Sequence, residues 1–295
     1  MQQTLKSIGQ NIRLTECPRD AMQGMHTFVP TEKKIEYMNS LLKVGYDILD
    51  FGSFVSPKAI PQLRDTAEVL EHLDLNGTDT KLLAIVGNMR GANDAVQYEK
   101  VSYLGFPFSI SDTFLRLNIN SNLGKAFSRA VNMLELCEKK DKKLMIYLSM
   151  GFGNPYNDPW SIELVVEWVR KLRNYGAHDI NLSDTVGVST IESIGILFNI
   201  LLNEFPDMNF GLHLHTKHGN WYDKIDAAFS HGCRCFDGVL TGYGGCPLSG
   251  AELVGNLQMR NLIHYFDDMG VPVKINRKAL EKAYSIALSV FPEIL

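Results

Sequence analysis

Cysteine is scarce in this chain. Five residues in 295, at Cys17, Cys137, Cys233, Cys235 and Cys246, are an odd number without Cys-x-x-Cys spacing. That pattern argues against a disulfide framework or a cysteine-rich zinc module and for a reducing compartment. Strong charge is also missing: the net charge is -4, and no run of Lys or Arg offers a footprint for nucleic acid or a polybasic membrane anchor. No stretch approaches the roughly 18 apolar residues of a spanning helix, and residues 1–10 lack the apolar centre of a secretory signal. The expectation is a cytoplasmic protein whose partner is a small molecule, not nucleic acid or a membrane.

What the chain does have is a large apolar fraction, 45% of its residues, enough for a sizeable core. Short β-rich runs recur at 12–17, 47–51, 81–86, 103–110, 144–150, 179–182, 210–215 and 234–240. Helix-period segments fall between them, for instance 31–44, 161–175, 190–204 and 221–231, several opened by Ser or Thr able to cap. Strand-helix alternation implies a parallel sheet. Eight units in this length favour closure into a (β/α)8 TIM barrel, and no Gly-x-Gly-x-x-Gly turn follows the first strand to support an open dinucleotide-binding sheet. No linker or repeat divides residues 1–295, so a single barrel domain is expected, with C-terminal helices from about residue 250.

A barrel places its chemistry at the C-terminal ends of its strands. Polar residues fall there: Arg19 and Asp20 after strand one, Asp50 ending strand two, Asp184 after strand six, His213 and His215 ending strand seven, Cys246 after strand eight. In a strand, alternate side chains share a face, so the two imidazoles of His213-Leu214-His215 can meet the Asp20 carboxylate in one pocket. Mixed nitrogen and oxygen donors suit Mg²⁺, Mn²⁺ or Zn²⁺ better than a thiolate cluster would. A polar strand edge or a satisfied core pair is the competing reading of the same two histidines.

Five segments carry a family resemblance. They are Thr15-Glu16-Cys17-Pro18-Arg19-Asp20-Ala21-Met22-Gln23-Gly24, Ser53-Phe54-Val55-Ser56-Pro57-Lys58, Asn181-Leu182-Ser183-Asp184-Thr185-Val186-Gly187, His213-Leu214-His215 and Gly244-Gly245-Cys246-Pro247. In this order the chain resembles the 3-hydroxy-3-methylglutaryl-CoA lyases, metal-dependent TIM-barrel enzymes, from about residue 12 to residue 256. The resemblance implies retro-Claisen cleavage of the hydroxymethylglutaryl thioester to acetyl-CoA and acetoacetate, a step of leucine catabolism and ketone-body formation. It implies Mg²⁺ or Mn²⁺ held by Asp20, His213, His215 and Asn256, with His213 also counted in the catalytic machinery.

By the same resemblance Arg19 sets a fixed positive charge against the developing enolate, where the bland reading is a barrel-mouth ion pair. Asp50 takes the place of a glutamate associated with acid-base work, and is one methylene shorter. Cys246 sits in a glycine-bearing flap and relays a proton, although a free cysteine is more often a small core residue. Gln23 and Asp184 are expected to orient metal ligands or substrate oxygens, and Lys58 to meet the charge of substrate or CoA. Departures stand at Thr216-Lys217-His218, where relatives carry Asp-Thr-Tyr, and His218 is expected to be a surface residue. The stretch from Cys246 to Asn256 is one residue longer than in better-known members. A homodimer is plausible for such a barrel. The rivals are an aldolase or Claisen-type synthase of the same superfamily and a noncatalytic acyl-CoA-binding relative.

Overall fold

The computed structural model describes residues 11–216, 219–245 and 254–291. Its strands are Arg13–Glu16 (β1), Ile48–Ser53 (β2), Lys81–Ile85 (β3), Val101–Ser109 (β4), Lys143–Ser149 (β5), Asp179–Asp184 (β6), Asn209–Leu214 (β7) and Cys235–Gly238 (β8). All pair in parallel, each with its sequence neighbour, and β8 closes on β1. The eight runs read from the sequence are these eight strands. Because helices cover the outer face and side chains fill the interior, both faces are shielded from solvent and nearly every strand residue is buried.

Two of the three apolar clusters among the described residues divide most of the work. Ile48, Leu83, Ile85, Tyr103, Met145 and Tyr147 fill part of the barrel interior, while a larger cluster lies between sheet and helices. The helix Ile162–Asn174 shows how the outer layer is built. Val165, Val166, Val169 and Leu172 form its buried stripe, and Ser161 Oγ accepts from Leu164 N–H at 3.1 Å to satisfy the first turn. Ile191–Glu204 opens with a reciprocal cap between Thr190 and Ser193. Thr31 does not cap the helix Thr31–Leu42. Its hydroxyl donates to Asp65 Oδ2 at 2.9 Å, and Pro30 holds the cap position.

Strand boundaries differ from the sequence expectation where another partner competes for the backbone. β8 stops at Gly238, because Val239 N–H donates to Leu257 O at 2.9 Å and Met259 N–H to Val239 O at 2.8 Å. The chain returning toward the helix Met259–Asp268 is thereby tied to the barrel's C-terminal end. A final helix, Arg277–Val290, packs beside Thr31–Leu42. At the opposite end of the barrel, Arg13 Nη1 and Asn209 Nδ2 both donate to Asp179 Oδ1, at 3.0 and 3.2 Å. Cys17, Cys137, Cys233 and Cys235 are free.

Candidate active site

β1 runs into the short helix Pro18–Gln23, whose first turn carries Arg19 and Asp20. Proline at a helix start forfeits no hydrogen bond and pre-sets φ, so both charged groups reach the barrel mouth on constrained backbone. Both are buried. Arg19 Nη1 donates to Asp20 Oδ1 at 3.0 Å and to Gln23 Oε1 at 2.9 Å, and Gln23 Nε2 donates to Asp20 Oδ1 at 2.8 Å. One carboxylate oxygen of Asp20 is thus committed. Its other oxygen, Oδ2, is buried with no partner among the described residues.

β7 supplies the facing wall. His213 lies within the strand and His215 just beyond it, with ring centroids 5.2 Å apart. The returning segment pairs back onto them: His215 bridges to Asn256, Leu257 N–H donates to Leu214 O at 3.0 Å, and Thr216 N–H donates to Gly255 O at 2.9 Å. Asn256 is brought beside the histidines by this pairing, and its Nδ2 donates to Tyr243 O at 3.0 Å. Gly244, at φ +101°, lies against the same corner. A Cβ there would stand 2.8 Å from Ala21 Cα and 3.0 Å from Asn256 Nδ2.

One donor atom each from Asp20, His213 and His215 fall within 4.8 Å of one another. Asp20 Oδ2 and His215 Nδ1 are buried without partners among the described residues. Buried polar atoms are seldom left unpaired, so a divalent cation fits this oxygen and imidazole set. Cys17, with His213 and Asp237, meets the same distance criterion. Its thiol, however, is pushed well above the usual range by burial and by nearby carboxylates, and Sγ points to Thr15 O at 3.8 Å. A thiol that keeps its proton is a poor metal ligand.

The electrostatics follow from burial and pairing. Burial raises the Asp50 carboxyl to about 6, even though Arg19 opposes the shift through a bidentate contact from Nε and Nη2. For Asp20, burial is outweighed by Arg19, His213 and His215, and its pKa falls. Burial disfavours the charged form of His213, but the Asp237 hydrogen bond and charge overcome it and the pKa rises. For His215 the charges of Asp20 and Asp184 and a backbone hydrogen bond to Val254 are outweighed. Burial and then repulsion from His213 lower it to about 4, so it is neutral and free to ligate near pH 7.

A cavity of about 130 Å³ opens onto this group. Arg19, Asp20, His213, His215, Ser149 and Thr185 line its polar side, and Val55, Ile60, Ile85 and Phe114 are among the apolar residues on its walls. Residues 12–286 match the HMGL-like family model. The chain belongs to the HMGL-like family. Among its relatives, the hydroxymethylglutaryl-CoA lyase YngG of Bacillus subtilis is 30% identical over 284 residues, covering 96% of this chain and 90% of that one. The mitochondrial hydroxymethylglutaryl-CoA lyase of Mus musculus is 28% identical over 285 residues, covering 95% and 86%. An HMG-CoA lyase from Acinetobacter baumannii, solved with coenzyme A and 3-methylmalate, superposes with a TM-score of 0.88 at 29% identity, covering 96% and 92% of the chains.

As a member of the HMGL-like family, the chain gathers Arg19, Asp20, Gln23, Asp50, His213, His215 and Asn256 at one end of its barrel. Two expected residues are placed otherwise. Lys58 is exposed on the loop after β2, whereas its neighbours Ala59 and Ile60 line the cavity. Asp184 ends β6, and its carboxylate accepts from Val188 N–H, Ser189 N–H and Ser189 Oγ and pairs with Lys224 Nζ at 3.3 Å. It shapes the following loop. Only its backbone carbonyl meets a histidine, accepting from His215 N–H at 3.3 Å. Cys246 and His218 lie outside the described residues.

Sequence reasoning passed over Asp237, whose Oδ2 is 3.1 Å from His213 Nδ1, and Tyr147, whose ring packs 5.6 Å from that of His213. The signal for Asp237 was a carboxylate inside an otherwise apolar strand of a parallel sheet. Thr216, where relatives carry Asp, donates its backbone N–H to Gly255 O. His215 Nδ1 stays unpaired among the described residues.

Proposed function

We propose that this chain cleaves 3-hydroxy-3-methylglutaryl-CoA to acetyl-CoA and acetoacetate. The observation that carries the reading is Arg19 and Asp20, joined by Gln23, facing His213 and His215 across a half-apolar cavity in a chain of this family. Retro-Claisen cleavage takes a proton from a tertiary alcohol, breaks a carbon-carbon bond and stabilises the departing thioester enolate. Asp20, His213, His215 and Asn256 would hold a divalent cation, Mg²⁺ or Mn²⁺, which would supply Lewis acidity toward the substrate hydroxyl. The chain's own groups do the rest.

Arg19 is held by Asp50, Asp20 and Gln23 at once, so its guanidinium is oriented before substrate arrives. A pre-oriented cation lining a low-dielectric cavity stabilises negative charge on a thioester oxygen with little reorganisation. Asp50 anchors that cation, and its carboxyl at about 6 lets it exchange a proton near neutral pH. Val55, Ile60, Ile85 and Phe114 exclude water from an enolate that solvent would otherwise quench. Gly244 lies against Ala21 and Asn256, and the thiol of Cys246, two residues on in the sequence, returns a proton to the enolate carbon.

The test is to incubate purified protein with hydroxymethylglutaryl-CoA and Mg²⁺ or Mn²⁺ and to measure acetoacetate and acetyl-CoA. Equal amounts of the two products are expected. Absence of both with either ion would remove the assignment in favour of another acyl-CoA substrate.

A further inference from the structure

Parallel pairing sets Asn181 of β6 opposite Gly211 of β7, and His213 of β7 opposite Asp237 of β8. Asn181 and Asp237 are two strands apart. Even so, Asn181 Nδ2 donates to Asp237 Oδ2 at 2.8 Å. The amide crosses β7 at the one position that has no side chain: a Cβ on Gly211 would stand 2.3 Å from Asn181 Oδ1 and 2.8 Å from Cγ. Any other residue at 211 would push the amide off β7 and away from β8.

Asp237 Oδ2 thus receives two donors, Asn181 Nδ2 and, at 3.1 Å, His213 Nδ1. The amide orientation is not arbitrary, because the flipped form would set an oxygen against a carboxylate. With Nδ1–H committed to Asp237, the lone pair of His213 is on Nε2. A metal-bound histidine needs this: its second ring nitrogen must be held in one protonation state and one orientation.

We propose that Asn181, laid across Gly211, and Asp237 form the positioning device that fixes His213 with Nδ1 protonated and Nε2 offered to the metal. This rests on His213 being a metal ligand, and its test needs no substrate, so it stands apart from the assignment of the reaction.

The experiment uses the full chain, metal-free, with ¹⁵N-labelled histidine; the His213 signals are those lost in His213→Asn. The expected spectrum has His213 as the Nδ1–H tautomer. In Asp237→Ala that signature should give way to a mixture or to Nε2–H, and calorimetry with Mn²⁺ alone should show an affinity loss within the roughly 10- to 100-fold range of supporting-residue changes. Asp237→Asn keeps an acceptor oxygen and should recover part of the loss. Asn181→Ala, less intrusive should Asp237→Ala fail to fold, should weaken Mn²⁺ binding about tenfold. An unchanged tautomer with unchanged Mn²⁺ affinity, in either Asp237→Ala or Asn181→Ala, would overturn the proposal.

Discussion

Replacing Arg19 by Met tests catalysis and stability together, because the structure makes separate predictions for each. Among the described residues the guanidinium is the one Arg or Lys cation lining the cavity beside Asp20, His213 and His215, and its removal takes away a pre-oriented donor to the enolate oxygen. Loss of one such donor costs roughly 10²- to 10³-fold in kcat. The same change leaves Asp50, fully buried, without its bidentate partner. Breaking a buried pair from one side typically costs about 3–5 kcal/mol while the charge persists. Asp50 limits that cost by taking a proton.

The pH window follows from the sign of its shift. Folding raises the Asp50 carboxyl from its ordinary value near 3.8 to about 6, so its contribution to stability is complete below about pH 4 and is lost as pH rises through 6. The wild-type loss is of order 3 kcal/mol. Without Arg19 the folded pKa moves higher still, so the stability deficit of Arg19→Met, to which Asp20's lost partner also contributes, should be smaller near pH 5 and widen above pH 6. Adding Asp50→Asn should restore stability at pH 8 and leave kcat low. The assay is acetoacetate release at saturating substrate, paired with denaturant unfolding at pH 5 and pH 8. A kcat within threefold of wild type would reduce Arg19 to a structural ion pair, and an equal stability deficit at both pH values would refute the account of Asp50.

Chelation should abolish turnover, and Mg²⁺ or Mn²⁺ should restore it; full activity in metal-free protein would contradict the site. His215→Ala and Asp20→Ala should each weaken Mn²⁺ binding measured by calorimetry, because each removes a buried donor from the cluster. Gly244→Ala meets backbone at 2.8 Å and a positive φ, so it should lower kcat at least tenfold and cost about 1–3 kcal/mol of stability; wild-type behaviour would show that this corner yields freely. Cys246 should be alkylated readily in free protein and protected by an acyl-CoA analogue with metal. Its alanine variant should lose turnover with Mn²⁺ affinity intact.

The elements that announced themselves in the sequence are those whose signal is local. Each strand is a short β-rich run set off by helix-period segments, and the two-residue spacing of His213 and His215 already places both rings on one face. Arg19-Asp20-x-x-Gln23 sits on one helix turn, so its mutual hydrogen bonds were implicit in spacing. What was illegible depends on register between distant strands. Nothing near Asp50 shows that its partner is Arg19, 31 residues earlier. Asp237 and Asn181 become neighbours only because β6, β7 and β8 align with a glycine between them. Asp184 misled for the opposite reason. Its place at a strand end was read correctly, but Val188, Ser189 and Lys224 claim its carboxylate before any histidine does.

Retro-Claisen cleavage through a thioester enolate is the central claim, and it leaves an isotopic mark. Hydroxymethylglutaryl-CoA turned over in D₂O with Mn²⁺ should give acetyl-CoA carrying one deuteron in its methyl group, in equal amount to acetoacetate. No acetoacetate, or acetyl-CoA without that deuteron, would contradict the account.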